Sequence, residues 1–269
     1  MGGNWALAWP AGAITLAFAT TGAAQAPSYT FTPIDVPGAT STAARSINDA
    51  NQIVGSFTDS AGTHGFVLSG GSFSTIDVPE ATASFGTFAS GVNDADQIVG
   101  DYFVATGQQH GFLDMGGTFT AIDVPGVLHS TAALDINNSS WIVGYYDMKI
   151  GFLEAGGSFT TIDVPGSQST YPFGINNNFP VQIVGWFGDT GLGQECTARN
   201  KKATHGFLDS GGNFTTIDVP GATQTCAYGI NDHSHIVGSF TDSAGTHGFL
   251  ASPDDGTVEG GFLGIGTRR

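Results

Sequence analysis

The sequence predicts an all-β chain built from one repeated four-strand unit, and three observations carry that expectation. Charged residues make up 11% of the 269 positions, against roughly 25% in ordinary globular domains. Glycine occurs 41 times, so the chain turns often and offers few of the Glu, Lys and Arg residues that favour helices. Four short phrases also recur five times each, in the same order.

Internal repetition is decisive for architecture, because each copy of a repeat is one supersecondary unit. Ile-Asp-Val-Pro places Asp35, Asp77, Asp123, Asp163 and Asp218. Ile or Val followed by Asn places Asn48, Asn93, Asn137, Asn176 and Asn231, and Ile-Val-Gly ends at Gly55, Gly100, Gly144, Gly185 and Gly238. Gly-Phe, preceded by His in four copies, places Phe66, Phe112, Phe152, Phe207 and Phe249. The aspartates are spaced by 42, 46, 40 and 55 residues, the long interval reflecting an insertion across residues 191–203.

Each unit holds four β-rich runs divided by turn signals. In the second copy the runs are residues 88–92, 97–103, 110–114 and 119–124, separated by Asn93-Asp94-Ala95-Asp96 and Gly116-Gly117 and closed by Pro125-Gly126. Asn-Asp and Gly-Gly tips supply turn geometry cheaply, and Val-Pro-Gly suits a type II turn. Four antiparallel strands per unit of about 45 residues is the size of a propeller blade, so residues 27–252 are expected to form a five-bladed β-propeller. The first runs are rich in Ala, Ser, Gly and Thr, as a crowded central axis requires, and Phe57, Tyr102, Tyr146, Phe187 and Phe240 are expected to fill the core between blades.

The two chain ends are out of phase in a complementary way. Residues 29–36 read as a fourth-type strand with no unit before it, and the last unit stops after its third strand near Ser252. The N-terminal strand is therefore expected to close the ring as the outer strand of the last blade, which removes an open edge. A β-solenoid is the weaker alternative, since its coils repeat at shorter periods and need polar caps.

Residues 1–26 read as an export signal, with an apolar stretch and Ala24-Gln25-Ala26 as a cleavage site, although no Lys or Arg precedes the apolar stretch. Residues 253–269 are a Gly-rich tail. The expected location is secreted, extracellular or periplasmic, with no membrane insertion of the mature chain, because no other run approaches the ~20 apolar residues of a span. Seven Lys plus Arg against 23 Asp plus Glu give a net charge of −16, which repels phosphate backbones and argues against a nucleic-acid partner. Cys196 and Cys226, two cysteines in a chain expected to be exported, are expected to form a disulfide between neighbouring units.

These residues resemble a known group, the bacterial extracellular repeats named for a His-Ala-Phe signature, the HAF family. The resemblance rests on Ile-Asn-Asp, then Ile-Val-Gly, then His-Gly-Phe-Leu, and covers residues 29–252. Gly stands for Ala in the signature here, and the third unit has Ile150 in place of the His. The resemblance implies a repeat type and leaves activity undefined.

Four histidines, His64, His110, His205 and His247, recur once per unit, but Ile150 breaks any five-fold metal ring, so they read as structural. The Ile-Asp-Val-Pro aspartates have the oxygen ligands calcium takes, yet one per unit they fit local turn capping better. His233 and His235 lack further ligands, and no metal site or cofactor is expected. No nucleophile elbow, phosphate loop or zinc pair occurs, and the inner runs carry almost no carboxylate beyond Asp135. One-off function is then expected where the repeat is broken. The residue after Ile-Val-Gly is Ser56, Asp101, Tyr145, Trp186 and Ser239, and Trp141 occupies a turn, so Trp141, Tyr145, Trp186 and Asp101 are the candidate binding residues. Aromatic faces beside polar groups suit sugar rings. The expected function is a non-catalytic binding module for glycans or another extracellular surface partner. The alternatives are a carbohydrate-active enzyme, hydrolase or lyase, around Asp135, and a structural envelope or matrix protein.

Overall fold

The computed structural model describes residues 32–82, 85–127, 130–188 and 204–253. The chain divides into two compact units, residues 1–33 and 34–269, and the description below concerns the second. Among the described residues it is all-β and contains no helix. The first repeat supplies strands β1 (Ser41–Ile47), β2 (Ile53–Thr58), β3 (Thr63–Ser69) and β4 (Ser72–Ile76), paired in sequential order as one antiparallel sheet. The second supplies β5 (Thr87–Val92), β6 (Gln97–Phe103), β7 (Gln109–Met115) and β8 (Phe119–Ile122), within two residues of the expected runs. The third gives β9 (Thr131–Ile136), β10 (Ile142–Tyr146), β11 (Ile150–Ala155) and β12 (Ser158–Ile162). The fourth gives β13 (Ser169–Ile175), β14 (Gln182–Gly188), β15 (Thr204–Ser210) and β16 (Asn213–Ile217). The fifth has β17 (Gln224–Ile230), β18 (Ile236–Thr241) and β19 (Thr246–Ala251), joined to the fourth sheet through one parallel bridge between Thr204 and Gln224.

Local chemistry explains each turn. The Gly-Gly pairs between third and fourth strands have positive φ at both residues, for example 63° and 88° at Gly116 and Gly117, as a type I′ hairpin requires. In Val-Pro-Gly the glycine has positive φ, 83° at Gly126, and the next N–H closes the turn on the Val carbonyl. A threonine hydroxyl at the start of each first strand then accepts the Val N–H: Val78 to Thr87 at 3.2 Å, Val164 to Thr170 at 3.0 Å, Val219 to Thr225 at 3.1 Å. In the Asn turns the left-handed residue is not the Asn. It lies three residues later, at Asn51, Asp96, Ser140 and Ser234.

The core lies at the seams, where each first strand packs against the first strand of the next unit. The Ile-Val-Gly valines Val54, Val99, Val143 and Val184 are fully buried there, with Phe66, Phe112, Phe152 and Phe207. Each of these phenylalanines meets a fourth-strand ring of its own sheet at about 5.5–5.8 Å, in edge or tilted geometry. The glycine of Ile-Val-Gly is fixed by space. A Cβ on Gly100 would overlap the Phe88 carbonyl oxygen and press on the Phe112 ring, and the same overlap recurs at Gly55, Gly144, Gly185 and Gly238.

The last group departs from the others. Val237, the fifth valine of the series, is 51% exposed, and Ile47 of the first strand is 59% exposed. The expected closing strand is not found among the described residues: Thr32–Val36 belongs to no strand, and residues 29–31 lie outside them. The export segment 1–26, most of the tail, Cys196 and the insertion across 191–203 also lie outside the described residues.

Candidate functional site

Two ladders of side-chain bonds join the units at one end of their first strands. Asn48 Nδ2 donates to the Asn93 carbonyl at 3.0 Å, Asn93 to Asn137 at 3.0 Å, Asn137 to Asn176 at 3.0 Å and Asn176 to Asn231 at 3.3 Å. Each Asn Oδ1 meanwhile accepts two N–H groups of its own turn, such as those of Ser139 and Trp141 at 3.0 Å. One residue on, the N–H of Asp49, Asp94, Asn138 and Asn177 donates to the side chain of Asp94, Asn138, Asn177 and Asp232 respectively. The repeated Ile-Asn-Asp phrase is thus a seam-joining device, with two donors turned to the next unit and two acceptors to the preceding one.

Above this ladder every first strand carries a β-bulge, and the bulge decides what faces the space among the five strands. The pairing skips Arg45, Ser90, Leu134, Phe173 and Tyr228. An extra residue of this kind is left unpaired and its side chain is re-aimed. All five line one cavity of about 480 Å³. The frame repeats; these five residues do not. Phe173 and Tyr228 meet edge to face at 87°, with centroids 5.6 Å apart, forming an aromatic corner. Arg45 is exposed and has no ion pair or hydrogen bond among the described residues. Sequence reading missed this set because a bulge leaves no mark in a five-residue run; the only signal was that these positions differ in every copy.

Asp135 follows the third bulge and also lines the cavity. Its Oδ1 accepts the Ile136 N–H at 2.9 Å and its Oδ2 the Ile175 N–H at 3.1 Å, turning the carboxyl into the strands and tying the third unit to the fourth. Burial raises its pKa to about 7, against the lowering by these two bonds. Among the described residues no second carboxylate lines this cavity, so the pair that glycoside hydrolysis needs is not assembled there.

Of the four expected binding residues, three are interior. Asp101, Tyr145 and Trp186 are all buried, because the position after Ile-Val-Gly faces the neighbouring unit. Gln109 Nε2 donates to Asp101 at 2.8 Å and to the Tyr145 hydroxyl at 3.3 Å. Tyr145 meets Tyr171 at 5.5 Å and Tyr171 meets Trp186 at 4.2 Å. Leu134 and Phe173 of the cavity wall pack against this aromatic cluster. Burial lifts Asp101 to about 6, with the Gln109 bond and the charge of Arg45 opposing, and it raises the Tyr145 hydroxyl strongly.

Trp141 lies elsewhere, in a groove of about 420 Å³ between the third and fourth units. It stands where other units have Gln52, Gln97 and Gln182, whose side chains accept from the ladder Asn at 2.6–2.7 Å. The facing turn of the fourth unit is longer by two residues and brings Phe179 and Pro180 onto the same groove. Phe179 is 97% exposed. Phe214, Thr160 and Asp209 complete the wall; Asp209 accepts the Gly212 N–H at 2.7 Å and is raised by burial.

Three of the four repeat histidines pair with the Ile-Asp-Val-Pro aspartate of their own sheet, and His247 meets Asp242 instead. His64 Nδ1 meets Asp77 at 2.8 Å, His110 meets Asp123 at 2.9 Å and His205 meets Asp218 at 2.8 Å. Each ring also stacks on the aromatic expected between units: Phe57, Tyr102 and Phe187 at 5.1–5.5 Å. That corrects the turn-capping expectation, since histidine and aspartate are thirteen residues apart, while Tyr102, Tyr146 and Phe187 also pack in clusters that span two units, as expected of them. Where Ile150 replaces His, Asp163 accepts from the Ser167 and Thr170 hydroxyls instead, the turn capping expected for all five. Cys226 is fully buried in β17, and no free cysteine occurs among the described residues. No group of three or more His, Cys, Asp or Glu fit to hold a metal occurs among them either, nor a helix long and apolar enough to cross a membrane.

No family model and no curated protein matches the chain. Among solved structures it is similar to a lectin of Aleuria aurantia in complex with Fucα1-6GlcNAc, at 13% identity over 78% of this chain and 74% of that one, with a TM-score of 0.46. It is also similar to the fucose-specific lectin from the same organism in a mercury-derivative form (14% identity, 78% and 73% covered, TM-score 0.47). A third likeness is to AofleA of Arthrobotrys oligospora (12% identity, 82% and 75% covered, TM-score 0.44). At such scores the likenesses carry no argument about this chain's ligand, which rests on its own residues.

Proposed function

We propose that this chain is an exported, non-catalytic β-propeller of five blades that binds glycans, and that the groove between the third and fourth units is its binding surface. One observation carries the reading: two independent departures from the repeat, the Trp141 substitution and the Phe179-Pro180 lengthening, converge on one groove. A bare aromatic such as Phe179 adds nothing to folding, whereas an indole and a phenyl face beside Asp209 and Thr160 offer a sugar ring both stacking and hydroxyl partners. Glycan-array screening followed by calorimetry tests it. Binding of at least one oligosaccharide is expected, lost about tenfold or more in Trp141→Ala or Phe179→Ala. An array with no binder, or a binder indifferent to both changes, sinks the proposal.

Ring closure by residues 29–36 belongs to the same proposal and has three supports. The Val36 N–H donates to Thr42 at 3.0 Å, the bond that precedes every other first strand. Apart from Asp163, whose unit has Ile150 in place of the His, Asp35 is the Ile-Asp-Val-Pro aspartate without a histidine, and His247 is the repeat histidine without such an aspartate. Beside β19, a Cβ on Gly248 would meet nothing nearer than 3.8 Å, whereas on Gly65, Gly111, Gly151 and Gly206 it would press on the fourth strand at 2.6–3.0 Å. The space matches one missing outer strand, and Pro33 is tolerated on such an edge.

A further inference from the structure

We infer that the cavity among the five first strands is a second ligand site, distinct from the groove, built to take a sugar ring that carries a carboxylate. The bulges aim five unlike side chains at one space of about 480 Å³, within the range of small-ligand sites. A repeat that only had to fill its axis would be served by one small residue five times over. Here the set is Arg45, Ser90, Leu134, Phe173 and Tyr228, so the copies differ where they face the cavity and agree where they build the sheets.

The chemistry of the set selects the ligand. Lys and Arg number only seven in a chain of net charge −16, and one of them, Arg45, stands at this cavity with no carboxylate bonded to it among the described residues. A guanidinium presents a planar fork of donors that matches a carboxylate two bonds at a time. Asp135, the one acid on the cavity wall, turns both oxygens to backbone N–H groups and makes no bond to Arg45, and Asp101, the buried carboxyl on which the charge of Arg45 acts, is bonded to Gln109 instead. The right-angled faces of Phe173 and Tyr228 give the apolar side of a pyranose a surface to lie on. The Ser90 hydroxyl, and that of Tyr228, which accepts from Ser239 at 3.4 Å, are available to ring hydroxyls. A neutral sugar would use the aromatic corner and leave the guanidinium unanswered.

The inference takes only the class of ring from the glycan-binding proposal, and its test separates the two. The full mature chain is titrated calorimetrically at neutral pH with D-glucuronic and D-galacturonic acid, and with D-glucose and D-galactose as neutral counterparts. At least one acid is expected to bind about tenfold or more tighter than its neutral counterpart. Arg45→Gln should remove that preference, Arg45→Lys should restore part of it, and Trp141→Ala should leave it unchanged. Arg45 is exposed, so these variants are expected to melt with the unaltered chain, which circular dichroism checks. Equal affinity for acid and neutral sugar, binding of neither acid, or an Arg45→Gln protein that keeps the preference would each overturn the inference. Loss of the preference in Trp141→Ala would overturn the separateness of the two sites.

Discussion

Replacing Asn137 by alanine is the sharpest probe of how the units hold together. The side chain is buried, its amide donates to the Asn176 carbonyl at 3.0 Å, and its oxygen accepts from Ser139 and Trp141 at 3.0 Å each. Three bonds vanish and their backbone partners remain in place without substitutes. At about 1 kcal/mol per bond, more where a buried partner is left unsatisfied, the loss is roughly 3–5 kcal/mol. That is a large share of the 5–15 kcal/mol typical of a folded domain. With about 2–4 °C per kcal/mol for a chain of this size, the melting temperature should fall by about 6–20 °C. Thermal melts followed by circular dichroism, beside urea titrations, measure it. Asn231→Ala is the companion: its Oδ1 accepts from His233 and His235, and no rung to a further unit is found among the described residues. In a closed ring the missing rung would run to Asn48, and the two variants should be equally destabilised. A loss below about 1 kcal/mol for Asn137→Ala would refute the ladder as a source of stability. A milder Asn231→Ala would count against closure.

Gly100→Ala should cost more than 3 kcal/mol or abolish soluble expression, because the new methyl group overlaps the Phe88 carbonyl; Gly107→Ala, at positive φ with open space around it, should cost only about 1 kcal/mol, and similar melting points for the two would contradict the steric account. Asp135 has a folded pKa raised by burial to about 7, so the folded state holds a proton that the unfolded chain releases above about pH 4. Its contribution is therefore fully present below about pH 4 and is lost as the pH rises toward 7, a decline of roughly 2–4 kcal/mol. Asp135→Asn should flatten that part of the stability curve measured by urea unfolding at pH 4.5 and 7.5, and an unchanged slope would remove the assignment. Cys226 should be recovered linked to Cys196 when peptides are mapped by mass spectrometry without reduction; an alkylatable Cys226 in the folded chain would exclude the bond. Export predicts a mature N-terminus near Pro27, which intact-mass measurement of the secreted protein reads directly.

The all-β character and the unit boundaries were legible in the sequence because they depend on local chemistry repeated five times. Gly-Gly and Val-Pro-Gly admit few backbone paths, and β6 begins and ends with the β-rich run 97–103. The Ile-Val-Gly glycine and the Asn phrase were visible as repeats, but their reasons were tertiary: an overlap with a bulged neighbour and a donor reaching the next unit 39–55 residues away. The site was less legible. Strand alternation turned Asp101, Tyr145 and Trp186 into the interior, while an unpaired residue in each first strand turned Arg45, Phe173 and Tyr228 toward a shared cavity. Nearest-neighbour chemistry sets where a strand starts and stops, so one sequence suffices for it. Which side chain reaches open space depends on register and on what the adjoining sheet leaves unfilled, and that only the folded chain decides.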